Sequence, residues 1–170
     1  MPEKTKPEEN LVEVKDLKMY FPINTGMFRT TPLKAVDGVS FSIKRGETLG
    51  LVGESGCGKT TVGRTLLNLY KPTGGEIRYD GKEIKTKADI KEFRKHATMV
   101  FQDPYSSLNP RMTVADIIGE PLDIHHMYKD RDERKARILE LMDYVGHNYE
   151  HAARYAHEFS GGQRQRIGIA

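Results

Sequence analysis

The sequence has no tryptophan and only one cysteine, Cys57, among its 170 residues. A single cysteine excludes an internal disulfide bond and a cysteine-rich metal site, as is typical of a protein from a reducing compartment. No apolar run approaches the ~18 residues of a membrane-spanning helix. Residues 1–10 are polar with charges of both signs, unlike a secretory signal, and predict a disordered lead-in. Together these absences predict a cytoplasmic protein.

The chain also has no large excess of charge of one sign. Its 27 basic and 24 acidic side chains give a net charge of +3, and they alternate along the chain instead of forming a basic stripe. Charge therefore does not favour nucleic-acid binding. The length and the 37% hydrophobic content are those of one globular domain.

One glycine-rich stretch carries most of the functional information. Residues 49–52 are the apolar run LGLV, and residues 53–60 read GESGCGKT. Glycines let the backbone N–H groups converge on one point, and the following helix aims its positive end at the same point. Lys59 adds a full charge, and the Thr60 hydroxyl is suited to Mg²⁺. This pattern predicts a phosphate-binding loop. The alternative, a glycine-rich turn between strand and helix, is weak because so specific a pattern rarely arises by chance in a chain of this length.

Hydrophobic patterning predicts the elements around this loop. Alternation indicates half-buried strands, and short continuous apolar runs indicate buried ones. The predicted strands are residues 11–21, 35–43, 48–52, 76–79 and 97–101. We expect a loop at 24–32, a turn at 44–47 and a hairpin turn at Asp80-Gly81.

Helical periodicity and capping residues dominate the second half. The predicted helices are residues 59–68, 90–96, 113–120, 130–145, about 149–155, and a last one from the glycines after Ser160 to the chain end. Gly146 is a candidate C-terminal cap, and Ser160 is a candidate N-cap.

These motifs stand in a fixed order that resembles the nucleotide-binding domain of ABC transporters. The order is an aromatic near residue 21, the phosphate loop, Gln102 after a strand, a helical insert, and Ser160-Gly161-Gly162-Gln163. Residues 101–113 read FQDPYSSLNPRMT and residues 157–163 read HEFSGGQ, which is similar to the dipeptide and oligopeptide importer subgroup. The resemblance covers residues 11–170.

The resemblance implies roles for residues of the chain's own nucleotide site. The ATP-binding loop is Gly53, Glu54, Ser55, Gly56, Cys57, Gly58, Lys59, Thr60 and Thr61. Phe21, with Tyr20 as the alternative, would stack on adenine; taken alone, it is an aromatic at the end of an edge strand. Thr60 and Gln102 would hold Mg²⁺. Gln102 would also contact the attacking water, and with Lys59 it forms the implied catalytic pair; a strand-end amide capping a turn is its plainer interpretation.

A further segment is implied to act on another chain. Ser160, Gly161, Gly162 and Gln163 would be the signature that binds the γ-phosphate held by a second, head-to-tail domain. A simple helix cap is the alternative interpretation of Ser-Gly-Gly. Thr60 stands where the subgroup usually has Ser, and Ala156 where it usually has Pro.

The resemblance implies an α/β fold of the P-loop, ABC nucleotide-binding type. We expect an antiparallel β lobe, a partial parallel core, and a helical subdomain at about 109–158 within a domain spanning 11–170. The chain ends at Ala170, before the expected Walker B strand with its acidic Mg²⁺ ligand and the catalytic Glu. We therefore expect this chain alone to be an inactive part of an ATPase.

The implied function is to energise import of dipeptides or oligopeptides by MgATP-driven dimer closure and hydrolysis. The implied partners are a second ABC ATPase subunit, membrane permease subunits and, indirectly, an extracytoplasmic peptide-binding protein. The subunit would lie on the inner face of the cell membrane. Two alternatives remain at this point: a truncated, non-hydrolysing nucleotide-binding or regulatory module, and an ABC ATPase that works without a permease.

Overall fold

The computed structural model describes residues 10–26, 29–103 and 107–170. The lead-in predicted for residues 1–10 lies, apart from Asn10, outside the described residues. The chain forms two compact units, one up to Thr98 and one from Met99 to Ala170.

The first unit is built on a four-stranded antiparallel sheet. Its strands are β1 (Asn10–Gly26), β2 (Arg29–Lys44), β3 (Gly74–Tyr79) and β4 (Lys82–Glu83), in the order β2-β1-β3-β4. Val14 of β1 pairs with Phe41 of β2 and with Ile77 of β3. The predicted strands at 11–21, 35–43 and 76–79 and the hairpin turn at Asp80-Gly81 are confirmed.

Helices α1 (Lys59–Leu66) and α2 (Lys87–Phe93) complete this unit. Val62 of α1 joins the sheet residues in one apolar core, whose buried members are Val14, Leu17, Met19, Val36, Val62 and Ile77. Helix α2 begins earlier than the predicted residues 90–96, because Thr86 and Asp89 form a capping box that the sequence analysis missed.

The loop predicted at 24–32 is wrong. Strands β1 and β2 continue through most of it, with Asn24 opposite Thr30 and Pro22 opposite Pro32. Strand β2 is at the sheet edge, and β1 pairs with β3 only as far as Lys18. Both prolines thus lie in a two-stranded ribbon, where an absent N–H donor is tolerated.

The strands predicted at 48–52 and 97–101 are also wrong. Both segments are irregular, and the described residues contain no parallel strand pair, so the expected parallel core is not formed among them. Val52 is 92% exposed. A strand buried on both faces exists only when neighbouring strands and covering helices are present.

The second unit is helical. It contains α3 (Val114–Ile124), α4 (Arg131–Tyr144), short 3-10 helices at Tyr149–Ala153 and Ala156–Glu158, and α5 (Gly161–Ile169). Its buried core is Val114, Ile118, Leu122, Ile138, Met142, Phe159 and Ile167. The predicted α4 is confirmed, with Asp130 as N-cap and Gly146 at φ 73°. Helix α3 runs past its predicted end at residue 120 and through Pro121.

No helix within the described parts of the chain is long and apolar enough to span a membrane.

Candidate nucleotide site and signature segment

The phosphate loop leads directly into α1 at Gly58. Gly58 has φ 98° and ψ 2° and is the N-cap of α1, and its carbonyl accepts the Val62 N–H at 2.9 Å. A Cβ at Gly58 would overlap the carbonyl oxygen of Ala35. Only glycine therefore fits both the backbone conformation and the space at this position.

Lys59 is folded over the loop that precedes it. Its Nζ donates to the carbonyl oxygens of Gly53 at 2.8 Å and Glu54 at 2.6 Å, and lies 3.6 Å from the Cys57 Sγ. The ammonium thus links the end of the loop to its start. It places a positive charge next to the glycine-rich backbone.

The start of α1 has no negative charge of its own. The helix has no side-chain cap, and residues 59–62 contain no acidic residue. Its N-terminal N–H groups and positive dipole end are therefore not compensated within the helix, which favours binding of an anion. Thr60 and the loop residues 53–57 are exposed, so a ligand has access to this end.

The two candidate adenine-stacking aromatics occupy different surroundings. Phe21 is half-buried against the core of the first unit and meets Tyr70 edge-on, with ring centroids 5.3 Å apart. The Tyr20 hydroxyl donates to Asp37, and Lys34 lies 5.4 Å from the Tyr20 ring centroid. The hydrogen bond from Tyr20 lowers the pKa of the Asp37 carboxyl and raises the pKa of Tyr20. Tyr20 is therefore engaged in a polar cluster, whereas Phe21 is held by apolar contacts.

Ser160 caps α5, as the sequence predicts. The Gln163 N–H donates to the Ser160 Oγ at 3.4 Å, and the Ser160 N–H donates to the Gln163 Oε1 at 2.9 Å. Ser160 and Gly162 are exposed, and a Cβ at Gly162 would meet no atom within 4 Å. This helix start also has no acidic residue in its first turn, so its positive dipole end is not neutralised within the helix, although the cap uses the Gln163 N–H.

Gln102 lies in the second unit, exposed, in the irregular segment that follows Phe101. The signature segment belongs to the same unit, whereas the phosphate loop belongs to the first. The described residues contain no group of three or more His, Cys, Asp or Glu side chains that could hold a metal ion.

The family whose description is ABC transporter matches residues 36–170. The chain belongs to the ABC transporter family. The matched range includes the phosphate loop, Gln102 and the signature segment; Phe21 lies before it.

Two relatives and one solved structure illustrate the similarity of this ABC protein. It is 55% identical over 168 residues to the oligopeptide transport ATP-binding protein AppF of Bacillus subtilis, covering 96% of this chain and 51% of AppF. It is 56% identical over 165 residues to the oligopeptide transport ATP-binding protein OppF of the same organism, covering 95% and 52%. A dimeric ATP-binding cassette in a post-hydrolysis state with ADP and Pi matches with a TM-score of 0.76 and 27% identity, over 93% of this chain and 67% of that one.

The ABC protein spans about half the length of these curated relatives. The likeness to solved ABC cassettes establishes the ABC nucleotide-binding fold. Of the residues assigned by resemblance, the phosphate loop leads into the start of α1 and the signature into the start of α5, whereas Phe21 lies in β1 and Gln102 in an irregular segment.

The sequence does not predict one feature of the ABC protein, a histidine pair at the signature helix. His147 is buried at 3% exposure and contacts His151 and the backbone of Gln163. The spacing of four residues between the histidines is the only signal in the sequence, and it does not distinguish a buried pair from an exposed one.

Proposed function

We propose that this chain is the ATP-binding part of a subunit that energises import of peptides through a membrane permease. The observation that carries the proposal is the phosphate loop, where the Lys59 ammonium and an uncompensated helix end converge. The printed names of AppF and OppF support peptides as the cargo.

The donor set fits MgATP. An ammonium, backbone N–H groups at a helix start and no nearby acidic side chain in that turn match a polyphosphate. In the proposed site, residues 53–61 bind the phosphates, Lys59 neutralises the β- and γ-phosphates, and Phe21 contacts adenine. Thr60 and Gln102 would hold Mg²⁺, whose chemistry is to neutralise charge that develops on the phosphates.

Hydrolysis in the full-length protein would be attack of water on the γ-phosphate, oriented by Gln102. Catalysis of this kind comes from positioning and charge neutralisation. The signature residues Ser160–Gln163 would complete the site of a second ATPase subunit, using the open start of α5. The subunit would then bind permease subunits at the inner face of the membrane, and receive peptide indirectly from an extracytoplasmic binding protein.

Replacing Lys59 tests this proposal. Lys59→Ala in the full-length protein should weaken MgATP binding about 10-fold to 100-fold, because hydrogen bonds to charged groups contribute about 1.5–3 kcal/mol. Peptide uptake should be lost. Nucleotide titration and uptake of labelled peptide measure the two effects.

Lys71→Ala is the matched control, since Lys71 is exposed and lies outside the loop. It should leave both quantities unchanged. Equal nucleotide affinities for the Lys59→Ala and wild-type proteins would refute the assignment of the loop, and intact binding without any peptide uptake in the wild type would refute the transport function.

A further inference from the structure

A buried polar cluster lies at the start of the signature helix α5. His147 is 3% exposed and belongs with Phe159 to the interior of the second unit. Histidine buried to this degree needs specific partners, because each ring nitrogen requires a hydrogen-bonding group.

The backbone of His147 is fixed by the end of α4. The Gly146 N–H donates to the Asp143 carbonyl and the His147 N–H to the Met142 carbonyl, both at 2.9 Å. With Gly146 at φ 73°, this is a Schellman motif, the commonest glycine-dependent helix ending. The imidazole therefore extends from a rigid helix end.

The side chain of His147 joins that helix end to α5. Its Nε2 lies 3.4 Å from the Gln163 carbonyl oxygen, and its Nδ1 lies 3.3 Å from the Nδ1 of His151. A carbonyl oxygen accepts only, so Nε2 carries the proton and Nδ1 of the neutral ring accepts from the Nδ1–H of His151. This assignment of protons satisfies both nitrogens of His147 at once.

The imidazole rings of His147 and His151 also contact Phe159, the residue before Ser160. His147 and His151 meet Phe159 edge-on, with centroids 5.5 Å and 5.4 Å from its own. The guanidinium carbon of Arg154 lies 4.7 Å from the Phe159 centroid. Phe159 and Gln163 bracket the signature, so the cluster fixes both ends of the segment.

We propose that His147 is a positioning residue that sets the signature Ser160–Gln163 for contact with a partner's nucleotide, and that only its neutral form does so. The proposal rests on the proposed function of that segment. A second proton would lie on Nδ1 and place a full charge at a site that is 3% exposed. To keep the contact, His151 would have to move its own proton from Nδ1 to Nε2. The titratable or charged groups that act on His147 are His151 from the 3-10 helix and Arg166 from α5. Arg154 contacts the Phe159 ring, which in turn contacts His147. From α4, the Met142 carbonyl accepts the backbone N–H of His147.

Burial lowers the pKa of His147 below its ordinary value of 6.5, and the charges of His151 and Arg166 lower it further, while the Gln163 carbonyl opposes them. The neutral, closed cluster is therefore fully stabilised above about pH 6.5. As the pH is lowered below 6.5, the free energy that stabilises the cluster decreases, until the pH passes the lowered pKa of His147.

The test compares the wild type with His147→Gln and His147→Leu in the full-length transporter, measuring MgATP turnover from pH 8 to the lowest pH at which the proteins stay folded. Gln keeps an N–H donor at the reach of Nε2 but does not titrate. We expect equal turnover of wild type and His147→Gln at pH 8, and a several-fold fall of the wild type relative to this variant once the pH passes below the lowered pKa of His147.

His147→Leu fills the apolar site without a donor, so it should stay folded and lose about 2-fold to 10-fold in turnover at pH 8, the range for one hydrogen bond of about 0.5–1.5 kcal/mol. Binding of MgATP to the variant's own loop should be unchanged.

Either of two results would overturn the proposal: a wild-type to His147→Gln ratio that is constant with pH, or a His147→Leu variant with wild-type turnover at pH 8. ATP hydrolysis by the Lys59→Ala variant is measured in the same experiment, as a test of the proposed function. If Lys59→Ala hydrolyses ATP like the wild type, the proposed function has failed; if it does not and the ratio is constant, the role of His147 alone has failed.

Discussion

At the residue scale, Gly56 and Gly58 form a matched pair for testing the geometry of the phosphate loop. Both have positive φ, 82° and 98°, but only at Gly58 would a Cβ collide with backbone, the Ala35 carbonyl, whereas at Gly56 it would meet no atom within 4 Å. Gly56→Ala should therefore cost about 1 kcal/mol of backbone strain, and Gly58→Ala more than about 2 kcal/mol, since the backbone must also move. Gly58→Ala should in addition abolish MgATP binding.

Chemical denaturation and nucleotide titration of the two full-length variants measure these effects. Equal losses of stability in the two variants would show that the collision with Ala35 does not occur in solution. Retained nucleotide binding in Gly58→Ala would separate the loop conformation from phosphate recognition.

At the element scale, α3 begins with a capping box, and its first residue is bonded to the backbone of the segment that precedes the signature. Thr113 Oγ1 accepts the Asp116 N–H at 3.2 Å, and the Asp116 carboxylate accepts the Thr113 N–H at 3.2 Å. The next residue, Val114, is fully buried, and its N–H donates to the Arg154 carbonyl at 2.9 Å. Thr113→Ala should lower the free energy of unfolding by about 1 kcal/mol, while Thr113→Ser should stay near the wild type. Urea unfolding of the full-length variants distinguishes the two; similar losses would mean that the methyl group, not the hydroxyl, is what matters.

Local chemistry explains which elements the sequence predicts well. Gly146 and Ser160 act at helix ends as predicted, because a cap is specified within a few residues. The hairpin turn at Asp80-Gly81 is equally local. Helix α3 ends later than predicted, because the packing of Leu122 against the core outweighs the tendency of Pro121 to break a helix.

At the scale of the whole molecule, the unsuccessful predictions are those that depend on distant partners. Residues 48–52 and 97–101 have the apolar composition of buried strands, but no strand pairs with them in the described chain. The loop predicted at 24–32 is a ribbon because β1 and β2 continue to pair across both prolines. The glycine turn at Gly58 and the helix that begins at Lys59 could be predicted from local residues. The burial of His147 could not, since burial depends on α4, α5 and the intervening turn together.

If the signature completes the nucleotide site of a second subunit, as proposed, a change in it affects hydrolysis by the assembly. The cap at the start of α5 uses the Gln163 N–H, and the N–H groups of Gly161 and Gly162 have no partner within the helix, as at any helix start. Ser160→Arg would put bulk and charge at the start of α5 while leaving Lys59 in place. It should spare MgATP binding to the variant's own loop but stop turnover at the site built on the partner's loop.

A heterodimer separates the two roles. Ser160→Arg and Lys59→Ala on one chain should damage both composite sites. When the two changes are on different chains, both should affect the same composite site and leave the other intact. Steady-state hydrolysis by the two arrangements decides the matter, because the divided pair should keep residual turnover that the combined pair lacks. If both arrangements hydrolyse ATP equally, Ser160 is a helix cap and nothing more.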